Sequence, residues 1–114
     1  MAVGYTELFM EQGATFNTSI TIDDIAGLPF DLTGFDGSSQ MRKSYYSSSP
    51  AATFTVSTGA DGLITLSLTS ANTANISPGR YLYDVYIDDG NVRVRVLEGI
   101  VNVTPQVTKN PGML

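Results

Sequence analysis

The stretch GRYLYDVYIDDGNVRVRVLEGIVNVT, residues 79–104, decides the fold because it reads as two strands joined by a tight turn. Residues 81–87 and 92–97 both alternate along the chain with the period of two that is typical of a half-buried strand. Between them lies Asp89-Gly90, a favoured pair for the two-residue type I′ turn, which needs a positive φ at both central positions. The stretch therefore predicts a β-hairpin that turns at Asp89-Gly90.

That turn determines which residues face each other across the hairpin. Tyr86 is expected opposite Arg93, and Asp84 opposite Arg95, on one face, whereas the other face is apolar. An opposite-charge pair and an arginine stacked on a tyrosine each stabilise a hairpin by roughly 0.2–1 kcal/mol. A charged face that is paired internally in this way is a poor candidate for a binding site.

The alternation fails at Glu98-Gly99, where Glu98 falls on the core face. A β-bulge adds one residue to a strand and so restores the direction of the side chains that follow it. We therefore expect a bulge at Glu98-Gly99, with Glu98 turned outward towards Arg80 and with Val101 and Val103 pointing inward.

The rest of the chain shows short strands separated by turns about every 8–12 residues, which is the pattern of an antiparallel β-sandwich. Ser70–Asn75 breaks the period of two and predicts one helical turn, capped by Thr69 or Ser70. The fold predicted is all-β, an antiparallel Ig-like β-sandwich of about seven or eight strands. Three parts are expected: an N-terminal arm or edge strand (1–11), the β-sandwich domain (12–104) and a C-terminal tail (105–114). The remaining strands are predicted at 5–11, 15–22, 38–44, 53–57 and 63–68. The strand at 38–44 is expected to be solvent-facing, with Met41 pointing inward.

Composition excludes several classes of function. The net charge of −5 disfavours a broad nucleic-acid surface, and no segment is long and apolar enough to span a bilayer. The chain contains no Cys and no His, so neither a Ser-His nor a Cys-His catalytic arrangement can form. We therefore expect no nucleic-acid partner, no membrane and no enzymatic activity.

Two pairs of carboxylates remain as candidates for a metal or catalytic site. Asp23-Asp24 and Asp88-Asp89 both lie in turns, where aspartate is favoured because it hydrogen-bonds its own backbone. Calcium needs about six to eight oxygen ligands, and no Asp-x-Asp-x-Asp loop is present. Turn formation is the preferred interpretation, and we expect no catalytic residue, no cofactor and no metal.

Candidate partner contacts lie in one loop and at both chain ends. Two adjacent tyrosines in a strand point to opposite faces, so one of Tyr45 and Tyr46 is expected to be exposed, either to contact a partner or to pack on a neighbouring loop. Both ends carry apolar residues that either add a strand to a neighbour's open sheet edge or pair within the chain or stay disordered. These end residues are Val3, Tyr5, Leu8, Val107, Met113 and Leu114.

Several motifs together resemble a known family. They are Gln12-Gly13-x-x-Phe16, GLPFDLTG at 27–34, QMRK at 40–43, GRYLYDV at 79–85, and EG-x-V-x-VTP-x-VT at 98–108. In this order and spacing they resemble small β-sandwich virion structural proteins of tailed bacteriophages. The family members are similar to the N-terminal domain of phage baseplate upper proteins and to short structural proteins of marine T4-like phages.

The resemblance implies a multi-copy virion component, made in the host cytoplasm, that contacts other virion proteins and copies of itself. The baseplate members continue into further domains, whereas in this chain we expect no coiled coil or receptor-binding domain after the sandwich. A small accessory part is therefore expected, either a head (capsid) decoration protein or a collar, tail or baseplate attachment protein. The alternative is a host-facing adhesion module that binds a surface receptor, carbohydrate or protein, through Tyr45, Tyr46 and the loop Ser47–Pro50.

Overall fold

In the computed structural model the protein consists of two β-sheets packed face to face. The structure describes residues 4–24 and 26–108. The larger sheet has the strand order β1-β9-β8-β4-β5, with β2 also paired to β9, and the smaller sheet has the order β3-β7-β6. This arrangement confirms the predicted all-β, Ig-like β-sandwich. The elements of the described residues are β1 (Gly4–Tyr5), β2 (Leu8–Glu11), β3 (Phe16–Thr21), β4 (Asp36–Arg42), β5 (Ala52–Thr53), β6 (Thr55–Thr58), β7 (Leu63–Leu68), α1 (Ser70–Ala74), β8 (Gly79–Asp88) and β9 (Arg93–Thr104).

The core lies between the two sheets and follows the alternation of the strands. Ile64 and Leu66 of β7 face Val85 and Ile87 of β8, and all four side chains are buried. Burying a side chain of this size contributes about 1.5–3 kcal/mol relative to leaving it exposed. The periodicity read from the sequence therefore identifies the core faces of both strands.

The hairpin turn is longer than the sequence predicted. Asp88 pairs with Arg93, and the turn spans the four residues Asp89–Val92, closed by a bond from the Asp89 amide to the Val92 carbonyl (3.2 Å). The Asp89 carboxylate accepts from the amides of Asn91 (2.9 Å) and Val92 (2.8 Å). Gly90 has a φ of 96°, but among the described residues only glycines have a positive φ. Asp89 therefore lacks the positive φ that a type I′ turn needs at its first central position. The two-residue turn at Asp89-Gly90 is therefore wrong, because Asp89 adopts a side-chain-capped turn instead.

The bulge exists, but it lies earlier in β9 than predicted. Tyr86 pairs with Arg95 while Val85 pairs with Leu97, so Val96 is the extra residue. Val96 and Leu97 are consecutive and both buried, which only a bulge allows. The expected position at Glu98-Gly99 is wrong, but its consequences are confirmed: Glu98 points outward, and the valines after it are buried. The Glu98 carboxylate forms an ion pair with Arg95 (3.1 Å) and not with Arg80 as predicted.

The N-terminal strands β1 and β2 both pair with β9, and in parallel orientation, which the sequence did not predict. Between them, the Thr6 amide donates to the Glu98 carbonyl (3.0 Å), and the Tyr83 hydroxyl donates to the Thr6 carbonyl (2.7 Å). Gly99 makes this approach feasible, because a Cβ at that position would collide with the Thr6 carbonyl oxygen. The N-terminal segment is therefore held against the hairpin by backbone and side-chain bonds.

The chain crosses from the larger to the smaller sheet at Phe54. Its amide donates to the Ser39 carbonyl (2.9 Å) of β4, and its buried ring lies 5.8 Å from the ring of Phe16 and 6.5 Å from that of Tyr83. The strand β4 lies between β8 and β5, and its outward residues Asp36, Ser38 and Gln40 are exposed, so one of its faces meets solvent as predicted. Met41 points inward as predicted.

The predicted helical turn is confirmed as α1. Thr69 is its N-cap, and its hydroxyl accepts from the Asn72 amide (3.2 Å). Thr73, on the buried side of the helix, donates to the Ala14 carbonyl (2.8 Å) and accepts from the Gly13 amide (3.1 Å). This ties the helix to the connection between β2 and β3. Within the part of the chain that the structure describes, no helix has the length and apolar character needed to cross a membrane.

Candidate functional site

Tyr45 and Tyr46 stand on a turn that is fastened at its base. Their side chains are 78% and 96% exposed. The Arg42 guanidinium donates to the Ser47 carbonyl (2.8 Å), and the Ser44 amide donates to the Ser47 hydroxyl (3.1 Å). Both tyrosines are thus presented to solvent, so packing of the pair on a neighbouring loop is not what the structure shows.

The candidate partner contacts in the N-terminal segment differ in exposure. Tyr5 is 64% exposed, but Leu8 is only 5% exposed and belongs to the core, so its assignment as a partner contact is wrong. Phe9, which the sequence did not single out, is 71% exposed. The run Leu8-Phe9-Met10 is apolar at every position, so its alternation does not reveal which face meets the core. Val3 lies outside the described residues.

The C-terminal candidates are described only in part. Val107 is 97% exposed and follows the end of β9. Just before it, the Gln106 amide donates to the Gln12 side-chain oxygen (3.4 Å). Met113 and Leu114 lie outside the described residues.

The outer face of the larger sheet carries two rows of polar side chains. One row runs across three strands through Gln40, Asp84 and Glu98, which are paired neighbours in β4, β8 and β9. The adjacent row runs through Ser38, Tyr86 and Arg95. The longer turn and the bulge together produce this match, because they shift β9 so that Glu98, not Arg95, lies directly opposite Asp84.

Arg95 joins the two rows. Its guanidinium donates to the Glu98 carboxylate (3.1 Å) and twice to the Tyr86 hydroxyl (3.1 and 2.9 Å), and its Nε lies 3.7 Å from the Asp84 carboxylate. The Arg93 guanidinium lies 3.8 Å from the centre of the Tyr86 ring. The predicted stack of Arg93 on Tyr86 and the attraction between Arg95 and Asp84 are both present, but Glu98 is the closer partner of Arg95.

Burial shapes the electrostatics of this face. Loss of solvation raises the pKa of Asp84, and the nearby Arg95 and Arg93 guanidinium groups offset this only in part. The hydrogen bonds that Arg95 donates to the Tyr86 hydroxyl raise the pKa of Arg95 above its usual value. Asp84 is therefore a carboxylate that has lost water without gaining a full set of partners.

These side chains form a groove of about 630 Å³ on the outer face of the sheet. The turn that carries Tyr45 borders one end, and Arg93 with Tyr86 borders the other. We call this site the outer-face groove; its lining includes Gln40, Arg42, Tyr45, Asp84, Arg95 and Glu98. The sequence did not predict this groove, because the expected hairpin register pairs Asp84 with Arg95 and leaves no charge of β8 or β9 available for a ligand.

Three of the four aspartates in the two predicted turns, Asp24, Asp88 and Asp89, accept hydrogen bonds from backbone amides of those turns, as the sequence predicted. Asp24 accepts from the amides of Ala26 (2.9 Å) and Leu28 (3.1 Å), and Asp88 accepts from the Gly90 amide (2.7 Å). Among residues 4–24 and 26–108, no group of three or more acidic residues is arranged to hold a metal ion.

No protein-family model and no curated protein matches this chain. Three solved structures are similar in fold. One is from a study of multimeric cell-adhesive interactions of VGSC β subunits (12% identity, 91% of this chain and 96% of that chain, TM-score 0.45). Another is a family 123 glycoside hydrolase from Clostridium perfringens (11% identity, 99% of this chain and 25% of that chain, TM-score 0.42). The third is a nucleoside hydrolase-related hypothetical protein from Saccharophagus degradans (15% identity, 90% and 23%, TM-score 0.34). These likenesses bear on neither activity nor partners.

Proposed function

We propose that the protein is a non-catalytic structural component of a tailed-bacteriophage virion. It would act through protein–protein contacts as a small multi-copy part, as a head decoration or a collar, tail or baseplate attachment protein. The phage assignment rests on the motif resemblance between residues 12 and 108. The mode of action rests on the edges of the sandwich.

The observation that carries the proposal is the open edge of β3. This strand pairs with β7 along one side, and no strand of the described residues pairs with its other side. Edge strands are usually protected by charge, proline or a bulge. Residues 16–21 contain no charged residue and no proline, and their register with β7 has no shift. Such an edge can accept a strand from a neighbouring molecule.

A second feature lies beside that edge. A cleft of about 390 Å³ separates β2 from β3, and Phe9, Thr15 and Asn17 are among the residues that line it. Phe9 is 71% exposed. An exposed aromatic side chain beside an unpaired strand edge favours an assembly contact, because aromatic residues are enriched at protein interfaces.

The virion assignment is tested by mass spectrometry of purified particles from the tailed phage or prophage that encodes the chain. We expect the protein in particles that have been separated from lysate by density gradient and by gel filtration. A protein that is abundant in the lysate but absent from infectious particles would end the proposal.

The edge contact is tested by adding a charge where a neighbouring strand would pair. Asn17→Lys places a lysine on the exposed edge of β3, and Thr33→Lys makes the same charge change on an exposed turn. Particles that lack the protein are incubated with each purified variant. We expect Asn17→Lys to bind about tenfold less, since burying an unpaired charge costs at least about 1.4 kcal/mol. Equal incorporation of both variants would rule out this edge as the contact.

A further inference from the structure

We propose that the outer-face groove binds a neutral oligosaccharide. This goes beyond the assembly role, since it places a ligand site on a sheet face away from the open edge of β3. A volume of about 630 Å³ falls within the range of about 300–1,000 Å³ that small-molecule sites occupy.

Asp84 supplies an acceptor that the protein does not use. Among the described residues its carboxylate receives no hydrogen bond, and its nearest cation, the Arg95 Nε, is 3.7 Å away. It lies in the middle of the row between Gln40 and Glu98. An ionised carboxylate with spare lone pairs can accept from two ligand hydroxyls at once.

The donors lie on both sides of that carboxylate. The Gln40 side-chain oxygen accepts from the Arg42 guanidinium (2.9 Å), which leaves the amide NH₂ of Gln40 directed elsewhere as a donor. Arg42 and Arg95 each have five N–H groups and use only some of them within the protein. A saccharide hydroxyl both donates and accepts, so it matches a site that offers a carboxylate beside an amide and guanidinium groups.

Tyr45 supplies the apolar contact. Its ring is 78% exposed at the border of the groove, on a turn that the Arg42–Ser47 bond holds in place. The other aromatic ring of the groove, Tyr86, is covered by Arg93 at 3.8 Å and serves to position Arg95. Tyrosine combines an apolar ring face with a polar tip, which suits the mixed C–H and O–H surface of a sugar.

The charge of the groove and the backbone pairing of β8 disfavour two other classes of ligand, highly charged molecules and extended peptides. The groove is lined by three arginines, Arg42, Arg93 and Arg95, and two carboxylates, Asp84 and Glu98, so its net charge is +1. Alternating signs at short range favour a neutral polyol over a highly charged ligand. An extended peptide is disfavoured, because residues 82–88 of β8 are paired with both β4 and β9 and so offer no unpaired strand edge in the groove.

The test is a titration of ¹⁵N-labelled protein with four neutral oligosaccharides, cellohexaose, chitohexaose, maltohexaose and mannohexaose, followed by two-dimensional NMR. We expect at least one of them to shift the amide signals of Gln40, Asp84 and Glu98 in a saturable way. Asp84→Asn is expected to weaken that binding about tenfold or more, since a hydrogen bond to a charged group is lost. Asp36→Asn, on the same face but outside the groove, is the matched control and should leave affinity unchanged.

A second pair of variants keeps the test decisive whatever Asp84→Asn does to folding. Tyr45→Ala should weaken binding about tenfold, whereas Tyr46→Ala removes a neighbouring exposed ring that does not line the groove and should have no effect. No saturable shift at these residues with any of the four sugars at about 5 mM would overturn the proposal. So would shifts confined to other residues, or equal losses from Tyr45→Ala and Tyr46→Ala. Presence in the virion is measured separately, so the two proposals fail independently.

Discussion

Replacing Thr73 by valine isolates one buried hydroxyl that joins the helix to the strands. Thr73 is fully buried, and its hydroxyl donates to the Ala14 carbonyl (2.8 Å) and accepts from the Gly13 amide (3.1 Å). Valine has the same branched shape and nearly the same helix propensity, so packing and local preference change little. The substitution therefore removes the hydroxyl and leaves two backbone groups without their partner.

The magnitude follows from those two groups. An unpaired buried donor or acceptor costs about 1–3 kcal/mol. Because Gly13 and Ala14 are half-buried, the lower part of that range applies, about 1–2 kcal/mol each and about 2–4 kcal/mol together. For 114 residues the entropy of unfolding is about 0.24 kcal/mol/K, so the expected fall in Tm is about 8–17 °C.

The matched control is Thr73→Ser, which keeps the hydroxyl and removes one methyl group. That change costs about 1 kcal/mol, or about 4 °C in Tm. Thermal and urea unfolding of both variants measure the difference, and hydrogen exchange at the Gly13 amide should accelerate more in Thr73→Val. A valine variant as stable as the serine variant would refute the role given to the hydroxyl, because packing alone favours valine.

Three further outcomes are expected. Gly99→Ala should lower the free energy of unfolding by about 2 kcal/mol or more, since the new Cβ meets the Thr6 carbonyl; an unchanged urea midpoint would contradict this. Leu8→Ala should cost about 2–4 kcal/mol and the neighbouring Phe9→Ala less than about 0.5 kcal/mol, so equal urea midpoints would show that the N-terminal strand is not part of the core. Burial raises the pKa of Asp84 above its usual value of 3.8, so the folded state holds this proton more tightly than the unfolded state. The contribution of Asp84 to stability therefore grows as pH falls through the window between its folded pKa and 3.8; a carboxyl titration by NMR with a midpoint below 3.8 would contradict it.

Local patterns predicted the strands because side-chain alternation is a property of the chain itself. The core positions Ile64 and Leu66 follow directly from it, whereas the cap at Thr69 follows from the preference for threonine and serine at helix N-termini. The parallel pairing of the N-terminal strands with β9 could not be predicted in this way. It depends on contacts between residues that are far apart in sequence, such as Tyr83 with Thr6.

The hairpin shows how a small error in register changes a functional conclusion. With a two-residue turn and no bulge before Glu98, Arg95 would lie directly opposite Asp84, and that carboxylate would be fully paired. The Asp89 side chain instead caps a four-residue turn, and Val96 is inserted as a bulge. Both events are set by side-chain hydrogen bonding and by packing, neither of which the alternation encodes.

Together these two changes place Glu98 opposite Asp84 and move Arg95 to the diagonal position. Arg95 then donates to Glu98 at 3.1 Å and stays 3.7 Å from Asp84. Two like charges facing each other are unfavourable unless a cation or a ligand lies between them, and Arg95 satisfies only one of them by a hydrogen bond. Asp84 is left as a desolvated acceptor at the centre of the outer-face groove, which is the position where a ligand hydroxyl gains most. The sequence predicted that the charges of this face are paired internally and that it is therefore a poor binding site. That pairing is incomplete at Asp84, the residue on which the saccharide proposal depends.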